Sequence, residues 1–589
     1  MDIAGFVAAA EQYPPPTTAD GARVVFSYGT AGFRTKGDVL ASTVFRCGAL
    51  AAARSHVTGR ATGIVITASH NPEPDNGVKL VDCTGGMLPV AWEAHAEALA
   101  NADGPDALAS VLERIVALVD PAENLHPPPP PGVAPHPTPP HVFLARDTRP
   151  TGPSLAAAAK AGAEAIGAAV TDCGLCTTPQ LHWIVHAAYR GAPHAEADYF
   201  ARLAGGFAAL VGNGNRTGDR AQPPSDIYVD CANGVGAAKL AALVSAAGDA
   251  TLPLRLRNVE GAPGSLNNRV GADYVQKEKA VPAEGGFDAL PPGAKCVSVD
   301  GDADRLVYFT RRDASGSASG SASGSASAAS LFDGDKIAAL VATHLADLLA
   351  RCGDALTPPL RVGVVQTAYA NGASTAYVAE TLGLETACTP TGVKHLHPEA
   401  ERFDVGVYFE ANGHGTAVFS DDALARVREA AAKTKVKAKE GETNAADAAA
   451  ALDELVALTE AINPAVGDAL SGILVVEAVL RAKGWDLARW NAMYADLPSK
   501  QVKVTVADRS VIATTDAERR ATTPAGLQPA IDAAVADAGP RARAFARPSG
   551  TEDVVRVYAE AETVEMTEAL ARNVARAVYE HAGGTGEKP

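Results

Sequence analysis

The sequence predicts an α/β protein that contains several parallel sheets and a smaller α+β domain at its C-terminal end. Short β-branched runs alternate with Ala/Leu-rich segments of helical period, as in 227–230 before 235–247 and 361–365 before 373–382. The repeated order of strand, loop and helix is typical of parallel layers. The last segment instead alternates with period two, which is typical of a sheet with one solvated face; its strands are predicted at 501–506, 541–546 and 553–559, followed by a helix from about 565 to 580.

Length and charge limit the possible functions. The chain has 589 residues, and a prior of roughly 150 residues per domain suggests about four domains. Its 51 Lys and Arg against 68 Asp and Glu give a net charge of −17. Nucleic acids and anionic membranes are bound by cationic surfaces, so we expect neither as a partner. No obligate protein partner is indicated, and an anionic ligand requires a local basic pocket.

The cysteines and the terminus indicate a cytoplasmic protein. No uncharged apolar run of about 18 residues is present, and the N-terminus lacks the basic region of a signal peptide. We therefore expect all eight cysteines to be free thiols. Cys173 and Cys176 form a CxxC pair with no second pair, which disfavours a zinc site.

Three stretches of biased composition interrupt the pattern. The proline-rich segment 126–140 predicts an exposed spacer within one domain, and the Gly-Ser-Ala-Ser repeat at 315–327 predicts a flexible insert. The Lys/Ala/Glu-rich stretch 426–446 resembles a nucleic-acid patch in its basic residues. Acidic residues accompany them, so a solvated helix is the better interpretation.

The first candidate functional loop is TASHNP at 67–72, directly after the predicted strand 63–66. Ser69 lies where the chain leaves the strand, with His70 beside it and Lys79 ten residues on, which suits a hydroxyl that carries a phosphoryl group. A capping serine before Asn-Pro is the structural alternative. No Gly-x-Ser-x-Gly motif surrounds Ser69, so a hydrolase is disfavoured.

The second loop, DGDADR at 300–305, places carboxylates at Asp300, Asp302 and Asp304. Three alternating carboxylates repel one another unless a cation lies among them, and hard oxygen ligands favour Mg²⁺ or Ca²⁺. Arg305 and Arg311 occupy the positions where an EF-hand requires Gly and Glu, which disfavours calcium sensing. A solvated acidic turn is the alternative.

The remaining two loops offer polar and basic groups. The loop 410–415 (EANGHG), with TGVKH at 391–395 before it, supplies carboxylate, amide and imidazole groups suited to sugar hydroxyls, although a satisfied polar turn explains it equally well. At 547–553, successive backbone N–H groups of Ser549, Gly550 and Thr551 predict an anion nest, with Arg547 and Arg556 as charged donors. A surface salt-bridge cluster is the alternative for this loop.

Together, the four loops occur in the order that is typical of the α-D-phosphohexomutase superfamily, which the chain resembles. Their amino-acid sequences resemble those of its phosphoacetylglucosamine mutase branch. The strings that carry the resemblance are GTAGFR at 29–34, TASHNP at 67–72, DGDADR at 300–305, TGVKH at 391–395, FEANGHG at 409–415 and RPSGT at 547–551. Similarity extends through 230–236, 466–480 and 513–528. The FEANGHG string carries the branch assignment, because glucose and mannose phosphomutases have a different loop there.

The resemblance implies a heart-shaped enzyme with three related α/β domains, a C-terminal α+β domain and one loop from each in a central cleft. The implied limits are 1–200 (phosphoserine loop, insert 126–140), 201–312 (metal loop), an insert at 313–330, 331–497 (sugar loop) and 498–589 (phosphate loop).

The implied reaction interconverts N-acetylglucosamine 6-phosphate and N-acetylglucosamine 1-phosphate, in UDP-N-acetylglucosamine biosynthesis. It proceeds through a phosphoserine and a sugar 1,6-bisphosphate, which also serves as activator. The alternatives are a general hexose phosphomutase, a non-catalytic sugar-phosphate-binding paralogue and a metal-dependent aspartyl phosphatase.

The resemblance also implies residue roles. Ser69, His70, Lys79 and Arg34 are the expected catalytic residues, with Lys79 as base candidate. One Mg²⁺ per chain is expected on Asp300, Asp302, Asp304 and an oxygen of the Ser69 phosphate. The expected substrate-binding residues are Arg305, Thr391, Gly392, Lys394, His395, Glu410, Ala411, Asn412, Gly413, His414, Arg547, Pro548, Ser549, Gly550, Thr551 and Arg556.

Overall fold

The computed structural model describes residues 1–18, 20–118, 139–213, 225–248, 252–312, 328–440, 442–549 and 553–589. Most of the proline-rich segment 126–140, the repeat 315–327 and the predicted nest residues Gly550 and Thr551 lie outside these ranges. The described residues form two compact units. The first comprises those up to 312 together with 328–331 and 457–478, and the second comprises those of 332–456 and 479–589.

The elements follow the predicted alternation of strands and helices. The strands are β1 (Phe33–Lys36), β2 (Thr62–Ile66), β3 (Asp75–Val81), β4 (His141–Arg146), β5 (Ala169–Leu175), β6 (Ile227–Asp230), β7 (Leu254–Arg257), β8 (Lys295–Val299), β9 (Leu306–Arg311), β10 (Ala329–Phe332), β11 (Val362–Thr367), β12 (Glu385–Thr389), β13 (Val405–Phe409), β14 (Gly415–Phe419), β15 (Ser499–Thr505), β16 (Ala513–Thr515), β17 (Arg520–Thr523), β18 (Arg543–Pro548) and β19 (Val554–Glu560).

The helices are α1 (Ile3–Ala10), α2 (Ala41–Thr58), α3 (Val90–Ala100), α4 (Gly104–Val116), α5 (Gly152–Ala165), α6 (Thr178–Tyr189), α7 (Glu196–Asn213), α8 (Gly236–Ala247), α9 (Ala272–Glu278), α10 (Gly334–Cys352), α11 (Gly372–Ala376), α12 (Val393–Ala400), α13 (Asp421–Lys439), α14 (Ala445–Ala461), α15 (Ala469–Lys483), α16 (Leu487–Asn491), α17 (Leu527–Asp537) and α18 (Val564–His581). None of them, within the described ranges, combines the length and apolarity needed to cross a membrane.

Three of the sheets repeat one arrangement. The first has strand order β1-β3-β2-β4-β5, the second β10-β9-β8-β6-β7 and the third β12-β11-β13-β14. In each, one parallel strand continues through a loop into an antiparallel neighbour: β2 into β3, β8 into β9, and β13 into β14. The loops 67–74, 300–305 and 410–414 are these connections. The same topological position therefore carries three of the predicted functional loops.

The fourth sheet, β15-β19-β18, is antiparallel throughout. Helix α18 packs on it through buried Leu570, Val574 and Val578. In β15 only Val504 is buried, whereas every residue of β2 is buried, as expected where helices cover both faces of a parallel sheet. The predicted α/β class with a C-terminal α+β domain is confirmed. The domain limits stay predictions.

Two predicted helices differ in detail. The segment predicted at 373–382 begins as α11 and continues as a π-helical turn over Tyr377–Thr381. The basic stretch predicted as one helix over 426–446 is helical only to Lys439, and α14 begins at Ala445. Lys433 and Lys435 pair with Glu429 and Asp453, so this basic charge is balanced locally.

Candidate functional site

Three buried aspartates form an acidic cluster directly after β8. The ligand oxygens of Asp300, Asp302 and Asp304 lie within 4.8 Å of one another. Asp300 Oδ1 accepts the backbone N–H groups of Asp304 and Arg305 at 3.1 and 3.2 Å. Burial, and then the charges of Asp304 and Asp302, raise the pKa of the Asp300 carboxyl well above its ordinary value. This concentration of negative charge is unfavourable unless a cation compensates it.

The acidic cluster has the donor set that Mg²⁺ requires. Asp300 Oδ2 and Asp302 Oδ1 are buried and accept no hydrogen bond from the described residues. A buried carboxylate oxygen without a partner is costly, and a hard divalent cation is the partner that suits two such oxygens in close proximity. The residues present therefore fit the metal.

The Ser69 hydroxyl points into this cluster. Ser69 is 2% exposed, and its hydroxyl donates to Asp302 Oδ2 at 3.0 Å. The same oxygen accepts the Thr178 hydroxyl at 2.6 Å. Ser69 has φ 48°, a left-handed conformation that a residue with a Cβ adopts at a cost, and its N–H donates to Thr67 Oγ1 at 2.9 Å. The loop thus holds a single hydroxyl in a defined position beside the carboxylates.

Gly301 allows this close approach. A Cβ built on Gly301 would lie 2.8 Å from the Ser69 carbonyl oxygen and 2.8 Å from Asn267 Nδ2. No larger residue fits there without movement of the loop backbone. The glycine between Asp300 and Asp302 therefore sets the spacing between the acidic loop and the serine loop.

Lys79 is the internal cation of the cluster. It lies on β3 opposite Val65 and donates to Asp302 Oδ2 at 2.9 Å and Asp304 Oδ2 at 2.8 Å. Burial by itself lowers the pKa of this amine, but the Asp302 and Asp304 charges outweigh burial and leave the pKa above its ordinary value. The structure thus places the predicted base candidate as an ammonium between two carboxylates.

The other predicted residues of this half lie around the serine loop. Arg34, on β1, is exposed and donates to Asn71 Oδ1 at 3.1 Å. Burial, and then the nearby Arg305 charge, lower the pKa of His70, which favours the neutral imidazole. Arg305 donates to Asp273 Oδ1 at 3.1 Å.

Arg149 holds the serine loop, and the sequence analysis missed it. Its side chain is fully buried, and its guanidinium donates to five backbone carbonyls, those of Ser69 at 2.9 Å, Asn71 at 2.8 Å, Pro72 at 2.6 Å and Glu73 at 3.4 Å in the loop and that of Asp75 at 2.7 Å at the start of β3. Asp147 accepts its Nε at 3.1 Å. Both residues lie within three residues of the end of β4, at the carboxyl edge of a parallel sheet, where ligand-binding groups are expected. This position after a predicted strand is the sequence feature from which Arg149 could have been predicted.

In the second unit, the loop 410–414 is organised by its own side chains. Asn412 Oδ1 accepts the His414 N–H at 2.9 Å, and Asn412 Nδ2 donates to Glu410 Oε2 at 3.3 Å. Ala411 and Gly413 complete the turn, and the Gly413 N–H donates to the Glu410 carbonyl at 2.8 Å. A Cβ on Gly334 would lie 1.8 Å from that carbonyl, so the start of α10 supports the loop directly. Asn412, predicted as a sugar contact, also maintains the loop.

The segment 391–395 connects β12 to α12. Gly392 precedes the helix with φ 119°, a conformation that favours glycine. Lys394 and His395 occupy the first turn of the helix and are partly exposed. The Thr391 hydroxyl donates to a residue outside the predicted set, Glu518.

A row of cations crosses the C-terminal sheet. Arg547 on β18 is directly opposite Arg556 on β19, and Arg556 is directly opposite Lys503 on β15. Directly opposite residues of antiparallel strands share a face, about 4.8 Å apart from strand to strand. Glu518 pairs with Arg547 from one side, and the concentration of three basic side chains in the row of Lys503, Arg556 and Arg547 suits an anionic ligand. Lys503 was not predicted, because strand register is not readable from the sequence.

The predicted anion nest needs one correction. The Ser549 N–H donates to the Val554 carbonyl at 2.9 Å and so continues the β18–β19 ladder. This N–H is therefore not a nest donor, contrary to the prediction. Pro548 ends β18, so the strand brings Arg547 to the loop that follows.

Comparison with known proteins agrees with this arrangement. Residues 333–485 match the family model "Phosphoacetylglucosamine mutase AMG1, domain III". Residues 502–577 match the C-terminal domain of phosphoglucomutase/phosphomannomutase, and 35–105 with 133–194 match its α/β/α domain I.

Similar proteins cover nearly the whole chain. The phosphoacetylglucosamine mutase of Oryza sativa is 45% identical over 95% of both chains, and that of Homo sapiens is 43% identical over 96% of both. The N-acetylphosphoglucosamine mutase of Aspergillus fumigatus, described in complex with GlcNAc-6P and magnesium, superposes with a TM-score of 0.83 at 40% identity over 99% of both chains. By sequence and fold, this chain belongs to the phosphoacetylglucosamine mutase family of the phosphohexomutases.

Proposed function

We propose that Ser69 is the phosphoryl carrier with which this phosphomutase interconverts N-acetylglucosamine 6-phosphate and N-acetylglucosamine 1-phosphate. The observation that carries the proposal is the buried Ser69 hydroxyl, 3.0 Å from Asp302 Oδ2 on a strained loop whose backbone carbonyls accept hydrogen bonds from Arg149. A hydroxyl with only a capping role does not require burial beside three carboxylates.

The reaction proceeds in two balanced transfers. In the first, a free sugar hydroxyl attacks the phosphorus of phosphoserine 69; the new sugar O–P bond forms, the Oγ–P bond breaks, and the proton lost by the sugar hydroxyl is balanced by the proton that Ser69 Oγ takes up. The product is the 1,6-bisphosphate. In the second, after the sugar has turned, the Ser69 hydroxyl attacks the other phosphate, that sugar O–P bond breaks, and the proton lost by Ser69 Oγ is balanced by the one that the sugar oxygen takes up. Each turnover restores the phosphoserine, so the bisphosphate is not consumed.

The protein's own groups position the charges of both transfers. Lys79 stays between Asp302 and Asp304 and keeps both carboxylates in place, while Arg149 fixes the backbone that carries Ser69. Asp300, Asp302 and Asp304 would hold Mg²⁺, which would supply charge neutralisation at the phosphoryl group when bound. The cationic row of the C-terminal sheet binds the phosphate that is not transferred. Because one phosphate occupies that row in either orientation of the sugar, the same row serves both transfers.

The ligands of relatives support this assignment. The Aspergillus fumigatus enzyme is described with GlcNAc-6P and magnesium, and a serine-to-alanine variant of it with glucose 1,6-bisphosphate. Hexosamine phosphates are therefore the substrate class that we propose here. Cytoplasmic location stays a prediction, supported by the free thiol state of all eight cysteines.

Substitution of Ser69 tests the proposal. Ser69→Ala should lower kcat for N-acetylglucosamine 6-phosphate by about 1,000-fold or more, equivalent to roughly 4 kcal/mol in the barrier, without loss of folded protein. Ser154→Ala is the matched control, because Ser154 is exposed and its hydroxyl donates only to the Thr151 carbonyl in the first turn of α5. Activity of Ser69→Ala within tenfold of the wild type would place the phosphoryl carrier elsewhere.

A further inference from the structure

One carboxylate that is not among the predicted site residues, Glu518 in the stretch 513–528, links two predicted binding segments of the second unit. Glu518 Oε2 accepts the backbone N–H and the hydroxyl of Thr391 at 3.0 and 2.6 Å. Its other oxygen, Oε1, accepts Nη1 of Arg547 at 2.9 Å. Thr391 begins the predicted sugar-contact segment, and Arg547 is part of the cationic row. Glu518 therefore connects the sugar side of the second unit to its phosphate side.

Arg547 is held from a second direction. Its Nε donates to the Tyr369 hydroxyl at 3.0 Å, and its guanidinium carbon lies 5.5 Å from the centroid of the Tyr369 ring. With Glu518 on Nη1 and Tyr369 on Nε, the plane of the guanidinium is fixed by two hydrogen bonds. A guanidinium oriented in this way loses little conformational freedom when it binds a phosphate.

The backbone that presents Glu518 is strained. Asp516, Ala517 and Glu518 have φ values of 52°, 53° and 68° in the turn between β16 and β17. L-residues with a Cβ visit this region as single residues and rarely in succession. Such conformations persist where surrounding contacts determine them, and they cluster at functional sites. Here the contacts with Thr391 and Arg547 are the ones that Glu518 itself makes.

We propose that Glu518 is a positioning residue for the mutase reaction, which holds the Thr391 segment and Arg547 at a fixed separation so that one phosphosugar contacts both. This inference rests on the proposed function for the identity of the ligand. Positioning and simple electrostatics predict opposite changes in phosphate affinity when the Glu518 charge is removed. Removal of a negative charge beside Arg547 raises the local positive potential and by that effect alone strengthens phosphate binding. Positioning requires that binding become weaker.

Two substitutions separate positioning from stability. Glu518→Gly removes the carboxylate and also relieves the left-handed strain, so the melting temperature should stay equal or rise. Glu518→Gln keeps the shape, but its amide has one acceptor and one donor face, so it cannot accept from Arg547 and Thr391 together. Asp532→Ala is the control, since it breaks an exposed ion pair with Arg520 beside the same hairpin.

The readout is equilibrium binding of N-acetylglucosamine 6-phosphate, by calorimetry with Mg²⁺ on full-length protein that carries Ser69→Ala. If Ser69 is the carrier, this background prevents turnover and the titration reports binding alone. The titrated sample is also assayed for N-acetylglucosamine 1-phosphate, whose formation would contradict the carrier assignment and not the role of Glu518. We expect Kd to rise at least tenfold for Glu518→Gly and Glu518→Gln, and to stay within twofold for Asp532→Ala.

A second measurement tests the link to Thr391. Thr391→Val removes the hydroxyl donor, and its effect on Kd should be smaller in the Glu518→Gly background than alone, because both changes break the same contact. Unchanged Kd in both Glu518 variants would show that Glu518 serves only the turn between β16 and β17 and not ligand binding, which would overturn the inference. Tighter binding would overturn it as well, since Glu518 would then compete with the ligand phosphate for Arg547.

Discussion

The acidic cluster around Ser69 and the cationic row of the C-terminal sheet differ in how their charges are compensated. In the acidic cluster, Lys79 already bridges two of the carboxylates, and all three aspartates are buried. In the cationic row, Arg547, Arg556 and Lys503 lie opposite one another across strands, and Glu518 pairs with Arg547 from outside the row. In the proposed function, bonds break at the acidic cluster, where charges fixed in advance lower the barrier, whereas the cationic row binds a phosphate without taking part in bond breaking. Substitutions in the first region should therefore lower kcat, and those in the second should raise KM.

Asp302→Asn should have the largest effect among the substitutions that keep the serine. Asp302 Oδ2 accepts from Ser69, Thr178 and Lys79, and an amide cannot replace its charge. We expect kcat/KM to fall about 100-fold or more at fixed Mg²⁺, and the Mg²⁺ concentration for half-maximal activity to rise. Asp172→Asn is the control, because Asp172 is exposed and only caps Gly174. Full activity of Asp302→Asn in excess chelator would contradict the assignment of a metal site to this cluster.

Arg149→Lys tests whether the serine loop must be held. Lysine keeps the charge but replaces a planar fork by a single nitrogen with three donors, so it cannot donate to all five carbonyls. We expect kcat to fall about 10- to 100-fold with KM within about threefold, since a misplaced reacting atom affects the barrier most. Arg114→Lys, on the exposed side of α4, should be neutral. If Arg149→Lys instead raised KM alone, the serine loop would serve substrate binding. The expected difference between the acidic cluster, which affects kcat, and the cationic row, which affects KM, would then be contradicted.

Arg556→Ala tests the other region. Loss of the central cation should raise KM for N-acetylglucosamine 6-phosphate about tenfold and leave kcat within about threefold. Because it also relieves like-charge repulsion with Arg547 and Lys503, the melting temperature should not decrease. The matched control is Arg520→Ala, which removes an exposed arginine paired with Asp532. A fall in kcat with unchanged KM would assign Arg556 to the transferred phosphate.

We expect the smallest effect from substitution of Asn412, which should change the ratio of kcat/KM between two sugar phosphates. The wild type should prefer N-acetylglucosamine 6-phosphate over glucose 6-phosphate in kcat/KM by at least about tenfold, because a 2-hydroxyl leaves groups that suit an acetamido substituent unpaired. Asn412→Ala should narrow this gap. Asn412→Asp keeps the acceptor for the His414 N–H and removes the amide donor, so it separates loop maintenance from sugar contact. Equal use of both sugars by the wild type would contradict the predicted preference.

The sequence allowed the fold class and the loop positions to be predicted, because strand periodicity and the placement of polar loops after strands are local features. The segments predicted at 63–66, 227–230 and 405–409 are strands, and the loops that follow the first and the last of these lie where the analysis placed them. Ser69 and Asp302 were assigned to one site by resemblance, and the structure brings them within 3.0 Å.

What the sequence did not reveal depends on contacts between distant segments. Arg149 reaches Ser69 across 80 positions of the chain, and Glu518 reaches Thr391 across 127. The alignment of Lys503 with Arg556 requires the register of two strands. These are tertiary facts, and no spacing or composition within a single segment encodes them.

The proposed mechanism requires that the transferred phosphoryl group resides on Ser69 and passes to the sugar. Phosphorylated wild-type enzyme, prepared with a sugar 1,6-bisphosphate and freed of it, should be mixed with N-acetylglucosamine 6-phosphate and followed by peptide mass spectrometry through a single turnover. We expect one phosphoryl group on the peptide that contains Ser69 before mixing, and its loss at the rate at which N-acetylglucosamine 1,6-bisphosphate forms. Bisphosphate formation with the Ser69 peptide unmodified throughout, or with the phosphoryl group on another residue, would contradict it.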